Sequence, residues 1–201
     1  HNNILAVVLA GGKSKRFGRD KSQVKLGDKI LIDYILSEII DIYNDILIVA
    51  NEPIKFLDSN KISLTSDIKR NLGPLGGVLS AMKWAKDNKK NYKWISTFPI
   101  DTPFFKKKHL SKFYEEIDLE KSNLFFMKSK NTRHNIFGLW SLELYEKLEF
   151  ALNKGDRKVE IWANEIGVKT IDFEHENNKD PFFNINTEKE LEIAKKLLNN
   201  D

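Results

Sequence analysis

LAVVLAGGKSKRFGRDK, residues 5–21, joins an apolar run to a glycine pair and a basic loop. The run from Leu5 to Leu9 has no polar residue, which predicts a strand buried on both faces. Glycine allows a tight turn and a close backbone approach, so Gly11 and Gly12 predict a turn whose N–H groups can hold phosphate oxygens. These residues therefore predict an anion site at the end of a central strand.

The basic loop adds positive charge beside the glycine pair. Its five cations are Lys13, Lys15, Arg16, Arg19 and Lys21. Only one acid, Asp20, opposes them. A triphosphate needs such surroundings, because its transfer depends mainly on positioning and charge neutralisation. Neither the Walker motif nor the dinucleotide fingerprint is present. A strand–turn–helix corner with a solvated basic surface is the alternative interpretation.

Strand and helix patterns alternate along the rest of the chain. Short apolar runs predict further strands at residues 45–50, 62–65, 94–98, 124–127, 136–140 and 168–173. Helical spacing predicts helices over residues 32–43, 75–82, 110–117, 144–152 and 159–163, and a capping box at 187–190 opens a last helix. This order predicts an α/β fold: one domain over residues 1–201, a Rossmann-like three-layer sandwich with a mostly parallel central sheet.

Composition narrows the class of protein. The chain has 201 residues, 41% hydrophobic and 31% charged, which is typical of a globular protein. The absence of cysteine excludes disulfides, Cys-ligated zinc, iron–sulfur clusters and thiol catalysis. No apolar stretch reaches the about 18 residues of a membrane span, and we expect a cytoplasmic protein without a membrane partner. The net charge of +4 suits anionic ligands, but aromatics do not interleave with the basic residues as in a nucleic-acid groove.

Two more motifs follow predicted strands. Asp67 precedes the glycine-rich stretch 71–77, where bare backbone would let a flat base pack closely. Asp101 lies between Pro99 and Pro103, after the strand pattern at 94–98. In open α/β sheets ligands bind outside the carboxyl ends of the strands, which is where both motifs fall. An ordinary strand-end residue and an Asx turn are the respective alternatives.

These segments together resemble the nucleotidyltransferases with a glycosyltransferase-A-like fold. Leu-Ala-Gly-Gly, then Arg-Phe-Gly, then Asp-Lys within residues 9–21 is similar to their signature. From about Ile4 to Leu191 the chain is most similar to the molybdenum cofactor guanylyltransferases. The resemblance implies a fold like that of nucleotide-diphospho-sugar transferases, and Mg²⁺-dependent transfer of GMP from GTP to the molybdopterin cofactor. It also implies contact with molybdoenzyme maturation proteins.

The resemblance also implies roles for individual residues. The catalytic set would be Arg16, Lys21 and Asp101, with Asp101 holding Mg²⁺. The implied nucleotide-binding residues are Leu9, Ala10, Gly11, Gly12, Lys21, Asn51, Asp67, Gly73, Gly76 and Asp101. The implied second-substrate residues are Arg157, Lys158, Asn184 and Asn186. We expect Thr187 to cap the last helix rather than to bind substrate.

Two other functions stay open at this point. One is a related cytidylyltransferase or sugar-phosphate nucleotidyltransferase, which pyrophosphate release with GTP, CTP and UTP would distinguish. The other is a non-catalytic cofactor carrier that kept the fold. The presence of both Lys21 and Asp101 argues against a carrier, because a carrier has no need of catalytic groups.

Overall fold

A seven-stranded sheet forms the centre of the computed structural model, which describes residues 3–11, 23–68, 71–88, 90–173 and 180–199. The strands are β1 Ile4–Leu9, β2 Lys25–Leu26, β3 Lys29–Ile30, β4 Ile46–Val49, β5 Ile62–Thr65, β6 Trp94–Pro99, β7 Leu124–Ser129, β8 Thr132–Ser141 and β9 Lys169–Phe173. The helices are α1 Leu31–Ile39, α2 Pro74–Asp87, α3 Lys107–Glu116, α4 Tyr145–Lys154, α5 Val159–Ile166 and α6 Glu188–Leu198. None of the described helices is long and apolar enough to cross a membrane.

The sheet is mostly parallel, which confirms the predicted fold class. Its strand order is β5-β4-β1-β6-β8-β7-β9, while β2 and β3 form a separate small hairpin. The strand β1 lies between β4 and β6 and runs parallel to both. Only β8 runs antiparallel to its neighbours in the described sheet. The predicted strands at 45–50, 62–65 and 94–98 correspond to β4, β5 and β6.

Helices cover both faces of the sheet and make three layers. Ala6 and Val8 of β1 pack into an apolar cluster with residues of α1 and α3. Their neighbours Leu5 and Val7 point the other way, into a cluster with residues of α2, α4 and α5. This explains why β1 is apolar at every position rather than at alternate positions.

The strand order reverses between β1 and β6. The chain leaves β1 through α1 to β4 and β5, and α2 then returns it to β6 on the other side of β1. In a doubly wound sheet such a reversal opens a crevice at the carboxyl ends of the two strands. The fold therefore places a ligand site beyond Leu9 and Pro99.

A tight hairpin explains the direction of β8. Lys130 and Asn131 connect β7 to β8 with φ angles of 45° and 60°, as a type I′ turn requires. The pairing then slips, because Phe126 faces Gly138 whereas Met127 faces His134. Residues 135–137 thus form a bulge in β8. The strand starts at Thr132 rather than at the predicted residue 136, because its first part pairs beyond this bulge.

A third apolar cluster fastens the C-terminal helix to the rest of the fold. Ile185 is completely buried in this cluster, together with Phe104 and residues of α6. The Ile185 N–H also donates to the Asp101 carbonyl oxygen at 2.9 Å. Thr187 Oγ1 accepts from the Glu190 N–H at 3.2 Å, which confirms the predicted cap. The segment before α6 consequently lies beside the Asp101 turn.

Candidate active site

Four predicted site residues converge at one edge of the sheet. Gly11 follows β1, Asn51 follows β4, Asp67 follows β5 and Asp101 follows β6. The ladder continues just past the strands, since the Ala10 N–H donates to the Val49 carbonyl at 2.9 Å. Because these strands are parallel, their carboxyl ends lie at the same edge. The structure thus brings together residues that the sequence separates by about ninety positions.

Asn51 and Asp67 hold each other through two hydrogen bonds. Asn51 Nδ2 donates to Asp67 Oδ2 at 2.7 Å, and the Asp67 N–H donates to Asn51 Oδ1 at 2.9 Å. A Cβ built on Gly11 would lie 3.7 Å from Asn51 Nδ2 and 3.8 Å from Asp67 Oδ2. Gly11 therefore sits directly against the pair. The carboxylate keeps lone pairs that can accept further hydrogen bonds from a ligand.

The first turn of α2 packs against the Asp67 carboxylate. A Cβ built on Gly77 would lie 3.5 Å from Asp67 Oδ1 and 3.1 Å from Leu9 Cδ2. The helix starts with Pro74, and Gly73 before it has a φ of 66°, which favours glycine. A helix N-terminus stabilises nearby negative charge. The turn that begins α2 therefore supports the orientation and the charge of Asp67.

Gly76 packs against Leu72, in the turn that precedes α2. A Cβ there would lie 2.6 Å from Leu72 Cβ, a contact that cannot be relieved by turning a flexible side-chain end. Gly76 is required by the packing of the turn itself. A larger residue at this position would distort the start of α2, so its effect on nucleotide binding would not isolate a base contact.

Ser80 is a supporting residue that the sequence reasoning did not include. Its hydroxyl donates to the Gly76 carbonyl at 2.8 Å and accepts from the Ile68 N–H at 2.9 Å. The side chain is 3% exposed. This hydroxyl ties the residue after Asp67 to the first turn of α2. A lone serine among the apolar residues of that helix face, four positions after a glycine, was the available signal.

Replacing Ser80 with alanine should destabilise the protein by about 1–3 kcal/mol, because it removes two hydrogen bonds worth about 0.5–1.5 kcal/mol each. Denaturant unfolding followed by circular dichroism measures this change. Ser37→Ala is the matched control, since Ser37 is exposed and its hydroxyl only donates to the Tyr34 carbonyl. The control should shift the unfolding free energy by less than about 0.5 kcal/mol. Equal stability of the two variants would contradict the bridging role of Ser80.

Asp101 lies at the opposite side of the crevice from Asp67, after β6. The residue is partly exposed, and its backbone carbonyl is taken by Ile185. Among the described residues, no three His, Cys, Asp or Glu side chains form a metal-binding group. A cation held by Asp101 would therefore complete its coordination with oxygens from substrate and water.

The predicted second-substrate residues separate into two groups. Asn184 and Asn186 flank the buried Ile185 and lie beside the Asp101 turn. Arg157 Nη1 instead donates to the carbonyls of Leu152 at 2.8 Å and Asp156 at 2.6 Å, at the end of α4. Its guanidinium is thus used to cap a helix.

Lys158 immediately precedes α5 and is exposed, at the same loop as Arg157. The loop is close to the turn that begins α2, since a Cβ on Gly73 would lie 3.9 Å from the Arg157 carbonyl oxygen.

The predictions for Gly12, Arg16 and Lys21 fall in residues 12–22, outside the residues that the structure describes.

The chain is similar to proteins of one nucleotidyltransferase family. Residues 6–167 match the family model described as "MobA-like NTP transferase domain". A molybdenum cofactor guanylyltransferase of Rhizobium rhizogenes is 32% identical over 95% of this chain and 90% of its own length. The enzyme of that name from Nitrobacter hamburgensis is 28% identical over 95% of this chain and 92% of its own.

Solved structures share the fold. Molybdopterin-guanine dinucleotide biosynthesis protein A from Archaeoglobus fulgidus superposes with a TM-score of 0.75 and is 21% identical. The superposition covers 98% of this chain and all of that one. At this identity the likeness shows the shared architecture of strands and helices.

Proposed function

This chain belongs to the family of MobA-like NTP transferase domains, and from that premise we propose that it transfers GMP from GTP to the molybdopterin cofactor. The observation that carries the proposal is the Asn51–Asp67 pair, fixed against Gly11 and the first turn of α2. The pair follows β4 and β5, on one side of the reversal in strand order between β1 and β6. A nucleotide placed there has its phosphates toward the glycine turn and its nucleoside toward Asp67.

The nucleoside side of the site offers acceptors. Guanine presents N1–H and N2–H donors, and the Asp67 carboxylate beside the bare backbone of residues 73–77 supplies oxygens for such donors. Asn51 fixes the carboxylate, so little conformational entropy is lost when a ligand binds. We expect Asp67 to act as the acceptor that orients the nucleoside.

The phosphate side depends on the glycine turn and the basic loop. We expect backbone N–H groups of this turn to contact the triphosphate. We expect Gly12, Arg16 and Lys21 to neutralise its charge, on the strength of the sequence motif. When bound, Mg²⁺ held by Asp101 would supply charge neutralisation at the triphosphate.

The transfer itself requires little acid–base chemistry. An oxygen of the acceptor's terminal phosphate forms a bond to the α-phosphorus of GTP, and the bond from that phosphorus to the bridging oxygen of the β-phosphate breaks. Pyrophosphate leaves with the electron pair. An ionised phosphate is already a nucleophile, so the protein contributes positioning and charge stabilisation. We expect Asn184 and Asn186, which lie beside the Asp101 turn, to position the acceptor.

The proposed reaction also predicts the substrates and the protein partners of this chain. GTP and molybdopterin are the substrates, and proteins of molybdoenzyme maturation would receive the product. We expect the reaction to occur in the cytoplasm, where GTP is available.

Pyrophosphate release with GTP, ATP and CTP tests the proposal directly. With molybdopterin and Mg²⁺ present, kcat/KM for GTP should exceed that for the other two by at least tenfold. Each polar group of a wrong base left unpaired costs about 1–3 kcal/mol, and about 1.4 kcal/mol corresponds to tenfold.

Reactions without molybdopterin serve as the control for simple hydrolysis. A preference for CTP would identify a cytidylyltransferase on the same fold. Binding of molybdopterin without turnover of any nucleotide would indicate a carrier, and either result would contradict the proposed reaction.

A further inference from the structure

The first residues of β8 lie at the same edge of the sheet as the site. Because β8 runs antiparallel to β6, its first residues lie toward the carboxyl end of β6, where they pair with β7. Arg133 pairs with Lys128 near the carboxyl end of β7. Its position beyond the bulge of residues 135–137 sets it at this edge. Bulges commonly redirect side chains next to active sites.

The guanidinium of Arg133 is held in place by three neutral oxygens. Its Nε donates to Asn135 Oδ1 at 2.7 Å, and its Nη1 donates to Asn164 Oδ1 at 2.6 Å. Its Nη2 donates to the Glu160 carbonyl at 3.0 Å. A guanidinium has five N–H groups, so two of them have no acceptor among the described residues. One of these N–H groups is on Nη1 and the other on Nη2, the two terminal nitrogens that form the fork of the guanidinium.

No acid among the described residues neutralises this charge. Arg133 is half-buried and always protonated. Its described partners are two amide oxygens, one backbone carbonyl and the Phe126 ring, whose centroid lies 5.8 Å from its Cζ. The neighbouring Lys128, by contrast, forms an ion pair with Asp172 at 3.4 Å. A rigid, charged fork with two donors left over matches the two oxygens of a phosphate or carboxylate.

Residues next to Arg133 in β8 contact β6 on one side and Phe182 on the other. The Thr97 hydroxyl of β6 donates to the Ile136 carbonyl at 2.5 Å and accepts from Trp140 Nε1 at 2.8 Å. On the other side of the strand, the His134 ring stacks on Phe182 at a centroid distance of 4.0 Å. Phe182 lies two residues before Asn184. The first part of β8 thus contacts both β6, which precedes Asp101, and the segment that carries Phe182 and Asn184.

We propose that Arg133 binds an oxyanion of the acceptor substrate through the free side of its guanidinium. The inference rests on the proposed function, because it assigns a residue to the second substrate of that reaction. The oxyanion has two sources in a molybdopterin acceptor: its phosphate, and the oxygens on bound molybdenum. Arg133 is a binding residue for either source. Asn135 and Asn164 orient it.

Arg133→Gln separates acceptor binding from nucleotide binding. The KM for molybdopterin, measured by pyrophosphate release, should rise at least about tenfold, the usual loss when one charge-assisted contact is removed. The KM for GTP should change less than about twofold. Arg133→Lys should recover only part of the loss, because it keeps the charge without the fork. Lys121→Gln is the matched control, since Lys121 is exposed and forms its ion pair with Asp118 in a loop at the opposite end of β7.

The same titration with metal-free and molybdenum-loaded molybdopterin distinguishes the two oxyanions. An effect on both forms assigns the phosphate, and an effect on the loaded form alone assigns the molybdenum oxygens. An unchanged acceptor KM, or an equal rise in the GTP KM, would overturn the inference while wild-type turnover still upholds the proposed function. Absence of wild-type turnover would instead overturn the proposed function, and the inference with it.

Asn164→Ala provides a second variant in case Arg133→Gln does not fold. It removes the hydrogen bond from Arg133 Nη1 to Asn164 Oδ1 and keeps the charge of Arg133. The acceptor KM should rise about threefold with an unchanged GTP KM, because a less fixed fork binds with a larger entropy loss. An unchanged acceptor KM in this variant would also overturn the inference.

Discussion

Replacing Asp101 with asparagine is expected to lower turnover at least about 100-fold while leaving the ligand-free protein folded. The substitution keeps the size of the side chain and removes the charge that would recruit Mg²⁺. Loss of a single group that stabilises developing charge costs about 2.7–4 kcal/mol in the barrier. The melting temperature without ligand should change by less than about 2 °C. The tie to Ile185 uses the Asp101 backbone carbonyl, so it survives the substitution.

Pyrophosphate release at saturating GTP and molybdopterin measures the loss, with Mg²⁺ varied at each point. Asp118→Asn is the control, because Asp118 is an exposed carboxylate paired with Lys121 in a remote loop. It should retain wild-type turnover. Turnover of the Asp101 variant at ordinary Mg²⁺ concentration would show that another group holds the metal.

Replacing Gly138 with alanine should destabilise the protein by about 3 kcal/mol or more, which lowers the melting temperature by about 6–12 °C. A Cβ there would lie 2.2 Å from Phe126 Cδ1 and 2.6 Å from the Phe125 carbonyl oxygen. The backbone atom cannot move without disturbing the β7–β8 ladder. The substitution therefore acts through overpacking at the bulge, and thermal unfolding by calorimetry measures it.

Gly155→Ala separates crowding from backbone strain. Gly155 has a φ of 104° and nothing within 4 Å of a built Cβ, so alanine meets only conformational cost there. That cost is about 1–2 kcal/mol. If Gly138→Ala were no more destabilising than Gly155→Ala, the tight packing against Phe126 would be contradicted.

The convergence of the site could be predicted because it follows from strand direction. Gly11, Asn51 and Asp101 each come directly after a largely apolar run, and Asp67 comes two residues after the short strand pattern at 62–65. Once those runs form parallel strands, their carboxyl ends meet at one edge whatever the details of packing. The helix cap at Thr187 was equally predictable, because a capping box depends on four neighbouring residues.

The supporting contacts could not be predicted in the same way. Ser80 reaches Ile68 from a helix that starts after the intervening loop, so their contact depends on how α2 packs on the sheet. The antiparallel β8 was not anticipated, because Lys130-Asn131 lacks the glycine that usually marks a type I′ turn. The cap formed by Arg157 depends on where α4 ends in space.

The sequence by itself determined the alternation of strands and helices, the position of the glycine turn and the ends of the strands where Asp67 and Asp101 lie. These features depend on residue periodicity and on local backbone preference, which act between near neighbours in the chain. Only the tertiary structure decided that Asn51 hydrogen-bonds to Asp67, that the Ile185 N–H binds the Asp101 carbonyl and that Arg133 lies beyond a bulge near the carboxyl end of β7. Such contacts join residues far apart in sequence, and their geometry is fixed by strand order, register and helix packing, which no local pattern encodes.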